Sequence, residues 1–371
     1  MTEAVTGAET GTMTNRERIF ATFRGEEVDR FPVWLKMSNR TWKSSQPEPY
    51  RSMDGEELLR AAGCDLLLGA WAGAERETPH VDWSVTEEDG LRRRVMATPD
   101  GELVSEEKYD EYTESWHPSR FPADSLENFR RLRWLFTDTL YAVPPSDAGE
   151  WAVRQKELEA KDAVTMTGIG PSPLMNLVEH LCGPENTAYF LYDDPELFRE
   201  VVDLMHRDRV RNLKALLPHV AADTFWMTEN TSTTLISPKM FEEFCVPHLR
   251  EYGNLIREHG VIAVHHMCGK LNDLLETIDQ LPAQANEAFT TPPVGDTMLA
   301  DGRRRMPSKA LIGGTNATLW LKPAERIVEA VAEDLSHCPD RRKIFLTSAG
   351  VLPPPVSFEK ARRVVAELKR L

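Results

Sequence analysis

Short apolar runs alternate with longer charged stretches of helical pattern along nearly the whole chain, and no other feature restricts the fold as tightly. "FPVWLKM" at 31–37, "CDLLLGA" at 64–70, "DAVTMTG" at 162–168 and "DTFWMTEN" at 223–230 are the first four such runs. "VIAVHH" at 261–266, "AQANEAF" at 283–289, "KALIGGT" at 309–315 and "KIFLTSAG" at 343–350 complete the set. Stretches such as "PELFREVVDLMHRDRVRNLKALL" and "SPKMFEEFCVPHLREYGNLIREHG" lie between them. Strands that alternate with helices imply a parallel sheet, and eight of them point to a closed (β/α)8 barrel, the TIM-barrel architecture of the α/β class.

Local signals agree with this rhythm. Thr14 is placed to cap a helix over "NRERIFATFR", which Gly25 stops, and Gly63 closes "MDGEELLRAAG". An open doubly wound sheet is the alternative, but "GIGPSP" at 168–173 lacks the GxGxxG spacing of a dinucleotide cradle. One segment breaks the pattern. Between 80 and 112 two Asp-Gly pairs sit among alternating polar and apolar residues, which reads as a β-hairpin insertion on the barrel rim. The chain thus divides into a disordered tail over 1–13, with Met13 as an alternative start, and a single barrel domain over 14–371.

Composition excludes several functions. The net charge of −15, without a long Lys/Arg run, argues against nucleic acid as a partner. No stretch approaches the roughly 20 apolar residues of a membrane span, and the polar, acidic start resembles neither a signal nor a transit peptide. The expected location is cytoplasmic. Five scattered cysteines need not pair in a reducing compartment. A homodimer is compatible with this composition, which does not require one.

Barrel enzymes keep their chemistry at the carboxyl ends of the strands. Those positions hold Met37, Ser38 and Asn39, then Glu229 and Asn230, then His265, His266 and Cys268. Glu287, Thr315, Asn316, Thr347 and Ser348 follow on later strands. Side chains two apart on a strand share a face, so His266 and Cys268 aim together into the mouth while His265 points away. An imidazole and a thiolate match tetrahedral zinc, and Glu229 or Glu287 is the candidate third ligand. The competing reading is a satisfied histidine beside a buried cysteine, with the glutamates in structural ion pairs. Trp34, Trp71 and Trp226 read as core packing, and "TPPVGD" at 291–296 as a stiff loop from which Asp296 reaches a ligand.

From about residue 14 onward the chain resembles the uroporphyrinogen decarboxylase superfamily. The resemblance rests on "RFPVWLKM", "PELFREVVDLM", "LISPKMFEEFCVPHLREY", "VHHMCGKLNDLLETI", "EAFTTPPVGD", "LIGGTNATLWLKPAERIVEAVAEDL" and "LPPPVSFEKARRVV". It implies a (β/α)8 barrel. True decarboxylases of this group follow the first strand with an Arg-Gln-Ala-Gly-Arg segment for porphyrinogen carboxylates; here "MSNRTW" stands there, with Arg40 the only nearby cation. The "HMCG" segment is similar instead to methyltransferases that pass a methyl group between a corrinoid protein and a thiol, and to O-demethylases. In the thiol branch, zinc sits on a His-x-Cys pair plus a later cysteine. Ser348, Ala349 and Gly350 stand where that cysteine is expected.

The resemblance therefore implies a zinc-dependent methyltransferase acting on a small methylated substrate, a methyl ether or a thiol. A corrinoid cofactor (methylcobalamin), free or on a corrinoid protein, would be its methyl-carrying partner. On this reading His266, Cys268 and Glu229 hold the metal, and His265, Glu229 and Glu287 are catalytic. Asn39, Arg40, Asn230, Asp296 and Asn316 face the substrate. A carboxylate in place of the missing cysteine makes the zinc harder and favours an oxygen ligand. Two other readings stay open: a metal-free decarboxylase using His266, Asn39 and Arg40, and a non-catalytic ligand-binding barrel.

Overall fold

The computed structural model describes residues 12–37, 39–111 and 115–371, so the expected tail and Ser38 lie outside the described residues except for the last two positions of the tail. Eight parallel strands form one sheet: β1 (Val33–Lys36), β2 (Leu67–Gly69), β9 (Val164–Ile169), β10 (Thr224–Thr228), β11 (Ile262–His266), β12 (Ala285–Phe289), β13 (Ala310–Gly313) and β14 (Ile344–Val351). Their order is β1-β14-β13-β12-β11-β10-β9-β2, so each strand lies beside its predecessor and its successor in the eightfold series. β1 and β2 close the ring through Asp65, whose backbone donates to Val33 O at 2.7 Å while its carboxylate accepts from Val33 N at 2.8 Å. The fold is a (β/α)8 barrel.

The helix signals act as their chemistry requires. Thr14 and Glu17 form a capping box on Asn15–Arg24, and Gly25 ends that helix at φ 77°. Asp54 and Glu57 repeat the device on Gly55–Ala62, ended by Gly63 at φ 72°. Longer helices, including Pro195–Leu216, Val246–Glu258 and Ala324–Ser336, bury one apolar stripe each against the barrel. Two single-turn π segments interrupt this regularity, at Leu177–Leu181 and Phe241–Cys245. Such bulges rotate the side chains that follow and recur at functional sites.

Between β2 and β9 the chain leaves the barrel. A short pair joins β3 (Glu75–Glu77) to β8 (Leu140–Ala142). Four antiparallel strands lie between them: β4 (Asp82–Glu88), β5 (Leu91–Thr98), β6 (Gly101–Asp110) and β7 (Ser115–Arg120). The sheet extends past residue 112 to Arg120, further than the alternation suggested, because β7 pairs with β6. Asp89 and Gly90 both take positive φ, 50° and 69°, as a two-residue turn matched to strand twist demands. Arg94 of β5 pairs with Glu107 of β6 at 2.8 Å across the ladder.

Candidate functional site

The register of β11 with β12 sets Glu287 directly beside His266. Glu287 is fully buried, and its two oxygens meet two cations from different strands. One oxygen is hydrogen-bonded to His266 Nδ1, and the other is 2.8 Å from Lys36 Nζ of β1. Lys36 also donates to Ala349 O at 3.1 Å, which ties β1 to the end of β14. Burial alone would raise the Glu287 carboxyl, but the Lys36 charge and the His266 contact outweigh it and hold it below the usual range. Burial likewise pushes His266 down; the contacts with Cys268 and Glu287 reverse this and carry it up to about 9. The result is a lysine, a carboxylate and an imidazole in line at the mouth of the barrel.

Cys268 lies exposed on the rim, and its thiol donates to Asn230 Oδ1 at 3.4 Å. Asn230 takes φ 47°, a left-handed conformation that asparagine tolerates better than most residues. Its amide nitrogen donates to Glu179 Oε2 at 2.8 Å. Glu179 comes from the π segment Leu177–Leu181, and burial raises its carboxyl. These groups border a cavity of about 760 Å³, within the size range of small-molecule sites. Trp34, Trp71 and Trp226 wall it, and Lys36, Asn39, Thr228 and Glu287 also line it.

Several expected site residues are engaged elsewhere in the fold. His265 is fully buried, has no partner on either ring nitrogen, and is pushed by burial to about 3. Strand alternation turns it away from the mouth, so it stays neutral and out of reach of a substrate. Glu229 is also fully buried. Its carboxylate accepts from the Ser172 backbone N–H at 2.6 Å and from the Ser172 hydroxyl. Burial raises it to about 7, and it neither lines the cavity nor joins His266 and Cys268. Asp296 accepts from Leu271 N at 2.7 Å and Asn272 N at 3.1 Å, which anchors the loop after Cys268 rather than a ligand. Asn316 caps the helix Ala317–Trp320 and donates to Thr291 Oγ1 at 2.8 Å, beside a separate recess.

The remaining positions divide. Asn39 lines the cavity while capping the helix Arg40–Ser44 through Trp42 N. Arg40 is exposed on that helix and does not line the cavity. His266, Glu287 and Asn230 line it, with Cys268 at the rim. The sequence reading missed Lys36 and Glu179. Lys36 had a signal, a cation closing the apolar run "PVWLK". Glu179 had none, since a π turn displaces it from the helical period.

The zinc implied by the resemblance can be tested against these donors. Glu287 on Nδ1 leaves His266 Nε2 as a ligand nitrogen, an arrangement common behind metal-bound histidines. Cys268 Sγ is the second donor. Glu229 is engaged with Ser172 and Glu287 with Lys36 and His266, and among the described residues no group of three or more His, Cys, Asp or Glu side chains is placed to hold an ion. The donor set falls short of the three protein ligands of a catalytic zinc site.

Fold and site together define a barrel enzyme type with its polar constellation at the strand ends. A sequence profile of the family described as uroporphyrinogen decarboxylase (URO-D) matches residues 151–371, and the chain belongs to that family. Among solved structures, a methyltransferase from Methanosarcina mazei is similar at TM-score 0.60 and 16% identity, over 96% of this chain and 99% of that one. D-psicose 3-epimerase with D-tagatose from Clostridium cellulolyticum H10 gives a partial likeness, TM-score 0.34 at 15% identity, over 62% and 80% of the two chains. At these identities the likeness concerns the barrel alone. Comparison with curated proteins gives no match. Among the described residues no helix is long and apolar enough to cross a membrane.

Proposed function

We propose that this protein is a methyltransferase that takes a methyl group from a small methylated substrate seated in the barrel mouth. The observation that carries the reading is the Lys36–Glu287–His266 line at the strand ends, beside a walled cavity of small-molecule size. The fold likeness along nearly both whole chains to a protein named as a methyltransferase supports it. So does the segment after β1, where Arg40 stands in place of the Arg-Gln-Ala-Gly-Arg run that receives a porphyrinogen's carboxylates.

A corrinoid, free or on a partner protein in the cytoplasm, would supply the nucleophile for the methyl group when bound. The chain's own residues do the rest. Trp34, Trp71 and Trp226 hold the donor and exclude water from it. Glu287 keeps His266 protonated and oriented, and His266 passes its Nε2 proton to the heteroatom that the methyl group leaves. Lys36 keeps Glu287 ionised through that step. The methyl carbon would exchange its bond to the substrate heteroatom for one to that nucleophile; an ether oxygen or thioether sulfur then ends neutral by taking the His266 proton, while an onium nitrogen leaves as a neutral amine and takes none.

The test is methyl transfer to cob(I)alamin from a panel of methyl ethers, methyl thioethers and methylated amines, followed by the change in corrinoid absorbance. Turnover of at least one class supports the reading. Failure of the whole panel, with carbon dioxide released from a carboxylated substrate instead, would replace it by the decarboxylase reading.

A further inference from the structure

The walls of the cavity state what kind of molecule it takes, and this step rests on reading the cavity as the methyl donor's seat. Trp34 and Trp226 meet edge to face, their ring centroids 6.2 Å apart and their planes 73° from parallel, which makes an aromatic corner. Trp71 stands at the opening with 67% of its surface exposed, an unusual position for a large indole without a partner. The Lys36 ammonium lies 6.0 Å from the Trp34 ring centroid, so one side of that ring already holds a cation.

The charges point the same way. The lining cations Lys36 and His266 (through Nδ1) both pair with Glu287, which offsets part of their charge. Glu179 is different. Its Oε2 accepts from Asn230, while its Oε1 is buried with no hydrogen-bond partner. Among the described residues its ion-pair contact is the exposed His180, at 3.9 Å. The cavity is therefore lined by three indoles and by a carboxylate whose Oε1 has no hydrogen-bond partner.

We infer that the cavity binds a methylated ammonium cation, held against the indole faces of Trp34, Trp71 and Trp226 and balanced by Glu179. Indole faces attract onium groups through the ring quadrupole, and methyl groups around the nitrogen keep the charge diffuse enough to leave water at little cost. A neutral molecule of the same shape gains the apolar contact but not the charge term. The seat is thus selective for charge at constant shape.

The test compares choline with its uncharged isostere 3,3-dimethylbutan-1-ol on the full chain, by calorimetry and by quenching of tryptophan fluorescence. Choline is expected to bind about tenfold or more tighter than the isostere. Glu179→Gln and Trp71→Leu should each weaken choline by about fivefold or more while leaving the isostere within about twofold. Trp71 is exposed, so its variant keeps the fold, and circular dichroism checks both. Equal affinity for the two probes, or no saturation by choline, overturns the inference. If methyl ethers or thioethers are demethylated while choline fails to bind, this inference is wrong and the methyltransferase reading stands. If choline binds selectively and no donor is ever demethylated, the inference stands and the methyltransferase reading falls.

Discussion

Glu287→Gln tests whether the buried carboxylate organises the mouth of the barrel. The wild-type carboxylate is inaccessible to water and faces Lys36 Nζ at 2.8 Å and His266 Nδ1. The amide keeps the shape and removes the charge, so two cations lose their common partner. Removal of one member of a buried pair commonly costs about 3–5 kcal/mol. Here Lys36 keeps the Ala349 carbonyl and a side chain 19% exposed, through which water can compensate. A loss of about 2–3 kcal/mol follows, or for a chain of this length a Tm lowered by about 3–4 °C at a fixed scan rate. Lys36→Met should cost more, about 3–5 kcal/mol, because it leaves a buried anion with the imidazole as its remaining counter-charge. The double variant closes a thermodynamic cycle, with an expected coupling of about 2 kcal/mol. Thermal and urea unfolding of the four proteins measure it. Additive effects, with each single change within about 0.5 kcal/mol of wild type, would refute the argument.

Three further predictions follow from the same contacts. Burial of His248, helped by the charge of His206, pushes it down to about 4. The unfolded chain, with a pKa near 6.5, then binds a proton that the folded chain refuses. The associated stability is complete above pH 6.5 and is lost as pH falls towards 4, about 3 kcal/mol in all; His248→Phe should flatten that part of a urea-stability profile, and an unchanged slope would contradict it. Ser172→Ala removes one of the two donors to the buried Glu229 carboxylate and should lower stability by about 1–3 kcal/mol in urea unfolding; an unchanged midpoint would show that the contact carries nothing. Because His266 and Cys268 offer two donors rather than three, dialysis against EDTA should leave the Tm within about 1 °C, while zinc that survives dialysis at one per chain would restore the metal reading.

The barrel was legible because its signal repeats. Eight apolar runs, most with a helical stretch between them, leave few other topologies, and Thr14, Gly25 and Gly63 mark where helices begin and end. His266 and Glu287 were legible in part, since polar residues that close apolar runs stand out. Their mutual contact was not, because it depends on the register between β11 and β12. Glu229 shows the limit of the argument. It closes its run as Glu287 does, yet its carboxylate goes to Ser172, a partner 57 residues away that no local pattern reveals. The burial of His265 follows from alternation alone, which turns it to the opposite side from His266. Glu179 was illegible because a single π turn shifts it off the helical period. The three tryptophans read as core from the sequence, and Trp34 and Trp226 are buried, but both also line the cavity.

The central claim is that the imidazole held by Glu287 takes part in methyl transfer. It is tested most directly by the single-turnover rate of methyl transfer to cob(I)alamin in wild type and in His266→Asn, with folding of both confirmed. Loss of a positioned acid is expected to slow the step by about 100-fold or more, with donor affinity changed much less. A His266→Asn protein that transfers the methyl group at the wild-type rate would contradict the account.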